Sequence, residues 1–204
     1  MSIRGVGGTS IHGTLTGGIF SALSIAIGSI GRNAAMKTQR EASKTFQKRE
    51  IEKAGIDAFS NKLLVAWGAS GVMEWVSHFP GSVFSKIKVI SNIFGRAISC
   101  ALSGVRVYGN IRDLIFFEKL TTSNTPTVLR AFAEHQMTLT SLTLIGDLCF
   151  IGYFALEIAS ILIGAAFVSG LSNLLLLAGI IFLIAGVVYM TMNGVESSKK
   201  IMGS

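Results

Sequence analysis

Between residues 158 and 195 the sequence contains no Asp, Glu, Lys or Arg, a run of 38 residues. Over the whole chain only 14% of residues are charged, against 50% hydrophobic, and the mean hydropathy is +0.59. Water-soluble domains carry about 25% charged residues, so this shortage of charge points away from an ordinary soluble domain and towards the bilayer. Proline is nearly missing as well: Pro80 and Pro126 are the only two in 204 residues, which leaves room for long helices. Two cysteines, Cys100 and Cys149, build no disulfide framework and are expected as buried free thiols. The three histidines, His12, His78 and His135, fall in separate segments without metal-ligand spacing. The glycine-rich start has no Walker lysine, and no nucleophile stands in an evident pairing with a base. These absences argue against an enzyme and against any cofactor or metal.

What is present at the C-terminal end is apolar in two lobes. A bilayer core takes about 20 apolar residues per helix, so the charge-free run is too long for one span and suits most of two. Ser169, Gly170, Ser172 and Asn173 are turn-formers in its middle and predict a tight turn between helices at about 148–167 and 173–192. Ser160 and Gly164 have the small-xxx-small spacing that lets helices approach closely, and Gly179 and Gly186 offer matching positions in the second helix. Such contacts serve packing within the hairpin or, in a homo-oligomer, between copies. Two acids intrude on the apolar pattern. Asp147 is expected at the interface, where a charge is cheap, and Glu157 near mid-span, where it costs at least ~2.5 kcal/mol.

The remaining chain divides by composition. Residues 1–31 hold one charge, Arg4, among Gly, Ser, Thr and Ile, and read as a flexible tail or an uncleaved export signal. A cleaved signal peptide is disfavoured, because Ser21, Ser24, Gly28 and Ser29 break the only apolar core. Residues 32–57 carry seven basic and four acidic side chains and read as a solvated helix or linker. Residues 58–79 make a core-like helix that Pro80 and Gly81 end. Over 83–120, Val83, Ile87, Ile90, Phe94, Ile98, Ala101, Val105 and Tyr108 recur in steps of three and four, the spacing of one helical stripe. Either this helix packs its stripe on 58–79, or it lies on an anionic membrane with Lys86, Lys88, Arg96 and Arg106 at the headgroups. Thr125 and Pro126 predict the start of a long helix that rises into the bilayer. No long apolar heptad array is present.

The expected fold is therefore an all-α membrane protein: a flexible tail (1–31), a charged helix or linker (32–57), an amphipathic helical region (58–120), a transmembrane hairpin (126–192) and a short cytosolic tail (193–204). The formal net charge of +7 fits cytosolic segments near anionic lipid. Nucleic-acid binding is not expected, since no zinc-finger spacing or basic-aromatic platform accompanies the charge. Every Lys and Arg lies outside the hairpin turn, which places both termini on the cytosolic face.

Two apolar lobes around a tight Gly/Ser/Asn turn (148–167, 168–173 and 174–192), with an uncharged Ser/Thr/Gly-rich start (1–30), resemble the inclusion membrane (Inc) proteins of Chlamydiae. The resemblance covers about a quarter of the chain. It implies type III secretion into the membrane of the pathogen's vacuole, both termini towards host cytosol, and a role in recruiting or tethering host proteins. Competing with it is a membrane-shaping protein that combines the amphipathic helix with a hairpin wedge. A third reading is a small pore or transporter built around Glu157.

Overall fold

The computed structural model describes residues 15–44, 47–77, 82–122, 126–164 and 166–202. Among them are five α-helices and no strand: α1 (Leu15–Lys44), α2 (Lys48–Val76), α3 (Ser82–Thr122), α4 (Thr127–Ile163) and α5 (Ala166–Met202). The chain divides into two compact units, Met1–Ser99 and Cys100–Ser204. Three of these helices hold segments long and apolar enough to cross a membrane: Gly18–Lys44, Thr127–Ile163 and Gly170–Met192.

The first of those segments corrects the expectation of a flexible tail, at least from Leu15 onward; residues 1–14 lie outside the described residues. Ser21 and Gly28, which interrupt the apolar core when read along the line, fall seven residues apart and so share a helix face. That face continues through Ala35 and Ala42, and all four are buried. Ile19, Phe20, Leu23, Ile27 and Ile30 stand on the outside, Ile30 with 71% of its surface exposed. The Ser24 hydroxyl donates to the Phe20 carbonyl at 2.8 Å, so its polarity is satisfied inside the helix. α1 is thus an apolar helix with a small-residue seam.

The seam allows α2 to approach very closely. A Cβ on Gly68 would lie 2.5 Å from the Ser21 carbonyl oxygen and 2.8 Å from Ile25, and one on Gly28 would lie 2.9 Å from the Asn61 carbonyl. At the far end of α2, Trp75 covers Gly18, 3.1 Å from where a Cβ would be. Gly18 against Trp75, Ser21 against Gly68 and Gly28 against Asn61 run in opposite directions along the two helices, so α1 and α2 pack antiparallel. This register sorts charge: the apolar half of α1 meets the apolar half of α2. The charged halves of α1 and α2 meet where Gly55 approaches Gln39. In the same unit the N-terminal part of α3 packs on α2, with Gly95 so placed that a Cβ would lie 2.9 Å from Ser70 Oγ.

Burial runs opposite to that of a water-soluble bundle. Among the described residues the buried apolar ones are Ala35, Ala42, Ala54, Ala58, Ile98 and Ala133, five of them alanine. The buried polar ones are Ser21, Ser70, Glu74, Ser77, Ser91, Ser99, Ser103, Thr140, Asp147 and Ser172. α3 has the same inversion. Ile90, Phe94, Ala101, Tyr108, Ile111 and Ile115 are exposed, while Ser91, Ile98, Ser99 and Ser103 are buried. Most of the stripe expected to pack on 58–79 therefore faces outward, and serines line the packed side because their small size permits close approach.

Candidate functional site

α4 opens where the chain leaves Pro126, whose φ of −51° and ψ of 141° hold it outside the helix while its carbonyl accepts from Arg130 N at 3.0 Å. The missing N–H of proline costs nothing at such a start. α4 ends at Gly164, which adopts φ 71° and ψ 20° and donates its N–H to the Ser160 carbonyl at 2.8 Å. Glycine is the residue that takes this left-handed conformation without a Cβ penalty, and α5 resumes at Ala166. The break between the lobes therefore falls at Gly164, several residues before the expected turn. Gly170, Ser172 and Asn173 lie in the opening turns of α5, as does Ser169, whose side chain is outside the description. A helix can absorb this Ser/Gly/Asn cluster because the Ser172 hydroxyl finds a partner on α4.

α4 and α5 pack antiparallel through small residues at sevenfold spacing. Ser172, Gly179 and Gly186 are buried along α5. Gly146 and Gly179 meet backbone to backbone, a Cβ on either lying 3.3 Å from the carbonyl oxygen of the other. Gly186 faces Leu139, Leu142 and Thr143, and Gly152 faces Leu175. A seven-residue repeat keeps one seam turned to its partner at shallow crossing angles, and small residues there bring backbones into contact. Of the residues expected to pack the hairpin, Gly179 and Gly186 are in this seam. Ser160 is half-buried, and Gly164 is the helix terminator. The outer face of α5 is Leu174, Leu177, Ile181, Ile184, Val187 and Val188, all exposed.

Polar contacts join helices of this unit at different heights. Near the turn, the fully buried Ser172 donates to Glu157 Oε1 at 2.7 Å. Near the other end, the His135 and Tyr189 rings stack with centroids 4.9 Å apart and planes at 22°, an amphipathic pairing suited to a membrane–water boundary. Between them sits Asp147, 3% exposed. Asn110 of α3 donates to its Oδ2 at 3.1 Å, and Arg106 Nη1 lies 3.9 Å from its Oδ1.

The heights exchange the two acids. Asp147 adjoins Gly146 and so stands level with Gly179, nine residues from Gly170 and thirteen from Met192. At ~1.5 Å per residue those are ~14 Å and ~20 Å, close to the middle of the apolar segment of α5. Glu157 instead stands level with Ser172, at the segment's edge. Moving the break from 168–173 to Gly164 shortens the distance from Glu157 to the turn and leaves Asp147 deep. Asp147 is the acid that finds its partners on α3.

The basic residues expected at lipid headgroups are dispersed in role. Lys88 is exposed and Arg96 half-buried. Arg106 is also exposed, although its Nη1 lies 3.9 Å from Asp147 Oδ1. Lys86 is in the opening turns of α3, its side chain outside the description. Arg112 lies with its guanidinium 5.8 Å from the centroid of the Tyr108 ring. Cys100 and Cys149 are free thiols, half-buried rather than buried. His12 and His78 lie outside the described residues. Among the described residues no group of three or more His, Cys, Asp or Glu is placed to hold a metal ion. The site can hold a carboxylate inside an apolar assembly and tie α3 to α4.

No family model matches the chain, and no curated protein or solved structure is similar to it.

Proposed function

We propose that the chain is a non-enzymatic integral membrane protein whose α4 and α5 cross the bilayer as a hairpin, with both ends of that hairpin in the cytosol. Its charged segment, 32–57, stands in the cytosol as a platform that recruits or tethers a protein factor. The observation that carries this reading is the inverted burial. Serine, glycine and alanine fill the helix contacts while Leu, Ile, Val and Phe face outward, an arrangement that would expose large apolar patches to water and that lipid covers without cost. The positive-inside rule supports the orientation, since Lys199 and Lys200 follow the second span, Arg130 stands in the opening turn of α4, and the turn between them carries no charge. The resemblance to the inclusion membrane proteins extends the proposal: the bilayer is a host vacuole membrane reached by type III secretion, and the recruited factor is a host protein.

A second reading, membrane shaping, is favoured by the outward apolar stripe of α3. It requires that the protein alone tubulate liposomes containing anionic lipid, whereas a tether leaves such liposomes spherical.

Single cysteines at Lys48, Leu162 and Ser197, with Cys100 and Cys149 replaced by serine, test the orientation through a membrane-impermeant maleimide. Lys48 and Ser197 are expected to react from the cytosolic side, and Leu162, 70% exposed near the turn, only from the other. Reaction of Lys48 and Ser197 from opposite sides refutes the proposed orientation. A cysteine at Ser2 in the same series reports on α1: the side of Lys48 if α1 dips into the bilayer, the opposite side if α1 crosses it.

A further inference from the structure

The deep carboxylate of Asp147 is held by α3, a helix that is not among the three apolar enough to be candidate spans. We infer that α3 over 100–118 is itself embedded in the hydrocarbon, with Asn110 donating to Asp147 on its inner face and Tyr108, Ile111 and Ile115 against acyl chains on its outer face. The inference rests on α4 and α5 crossing the bilayer as proposed above.

Two independent observations carry it. The first is depth. Asn110 touches Asp147 at 3.1 Å, and Asp147 is level with the middle of the α5 apolar segment, so Asn110 shares that depth. A helix passing through this height extends ~15 Å either way over about ten residues, which is half the thickness of a bilayer core. The second is facing. On the side of α3 turned away from Asp147, Tyr108, Ile111 and Ile115 are exposed at 55%, 44% and 48%, one apolar stripe with a spacing of three and four. Water on that stripe would stand within a helix diameter, about 10 Å, of a carboxylate held among apolar helices.

The modest hydropathy of α3 follows from its paired charges. Arg106 lies 3.9 Å from Asp147 with 57% of its side chain exposed, long enough to carry its charge towards the headgroups, and Arg112 rests on the Tyr108 ring. Ionisable groups within a membrane are accommodated when they pair or face the bundle interior. Sequence hydropathy counts such residues as if each were free, and so passes over the helix.

Tryptophan quenching by phospholipid brominated in mid-chain tests this on the full chain in vesicles, with Trp67 and Trp75 replaced by Phe. Tryptophan is placed singly at Ile111, at Ile115 and at Ile181, the last on the outer face of α5. The expected result is quenching at Ile111→Trp and Ile115→Trp equal to that at Ile181→Trp. Quenching at Ile181→Trp with none at either α3 position overturns the inference and leaves the α4–α5 hairpin standing. No quenching at any of the three overturns both. Two α3 positions are used so that one poorly folding variant does not decide the result.

Discussion

Gly68→Ala should unfold the α1–α2 pair more readily than any other alanine substitution at a glycine of the first unit. The added Cβ would lie 2.5 Å from the Ser21 carbonyl oxygen, 2.8 Å from Ile25 Cγ1 and 3.1 Å from the Ile25 nitrogen. Two of these three atoms are backbone, so no side-chain rotation relieves the clash and the helices must separate. Overpacking of this kind costs about 1–3 kcal/mol, and lost contact along the seam adds to it. Gly104→Ala is the control. A Cβ there meets nothing within 4 Å, and alanine favours helix by up to about 1 kcal/mol over glycine. Denaturation in mild detergent, followed by circular dichroism, should show the first variant destabilised and the second unchanged or stabilised. Equal behaviour would mean that the close approach at Gly68 is not present in the folded protein.

The second large effect is expected at Asp147. Asn110→Leu removes the donor at 3.1 Å and leaves the carboxylate with Arg106 alone, at 3.9 Å. Hydrogen bonds to charged groups contribute about 1.5–3 kcal/mol, and a charge deep in an apolar assembly has no water to replace the one it loses. Asn110→Leu should therefore destabilise the second unit by an amount in that range. In an Asp147→Leu background the same substitution should cost little, because there is no longer a carboxylate to satisfy. The difference between the two backgrounds is the coupling energy, which for a direct contact is about 0.5–3 kcal/mol. Identical costs in both would show that Asn110 does not serve Asp147.

Reading along the chain recovers the helices better than their faces. Pro126 and the long α4 after it are evident in the sequence, because proline and a Thr-rich stretch mark a boundary whatever the environment. The start of α3 at Ser82 is similarly marked by Pro80 and Gly81. The two apolar lobes are visible from the absence of charge alone. α1 was hidden by the assumption that serine and glycine interrupt a span; in the folded chain Ser21 and Gly28 are its contact face. The same assumption hid the sevenfold spacing, since a search for apolar heptads passes over Ser172, Gly179 and Gly186. The break between α4 and α5 was displaced towards Ser169–Gly170, where turn-formers are densest, whereas one glycine with φ 71° suffices. The partners of Asp147 are 37 and 41 residues away in α3, a distance over which no local pattern carries information. Asn110 is for this reason not legible as a partner in the sequence alone. What could have raised it is the rule that a deep acid needs a donor, applied with Asp147 rather than Glu157 as the deep acid.

The central claim is that the outer faces of these helices meet lipid and the small-residue faces meet protein. Spin labels placed one at a time from Leu174 to Val188, in the protein reconstituted in nanodiscs, test it most directly through collision with oxygen and with a water-soluble nickel chelate. Oxygen collision should rise at Leu174, Leu177, Ile181, Ile184 and Val188 and fall at Gly179 and Gly186, with nickel collision low throughout. High nickel collision at Leu177, Ile181 and Ile184 would put that face in water and contradict the account.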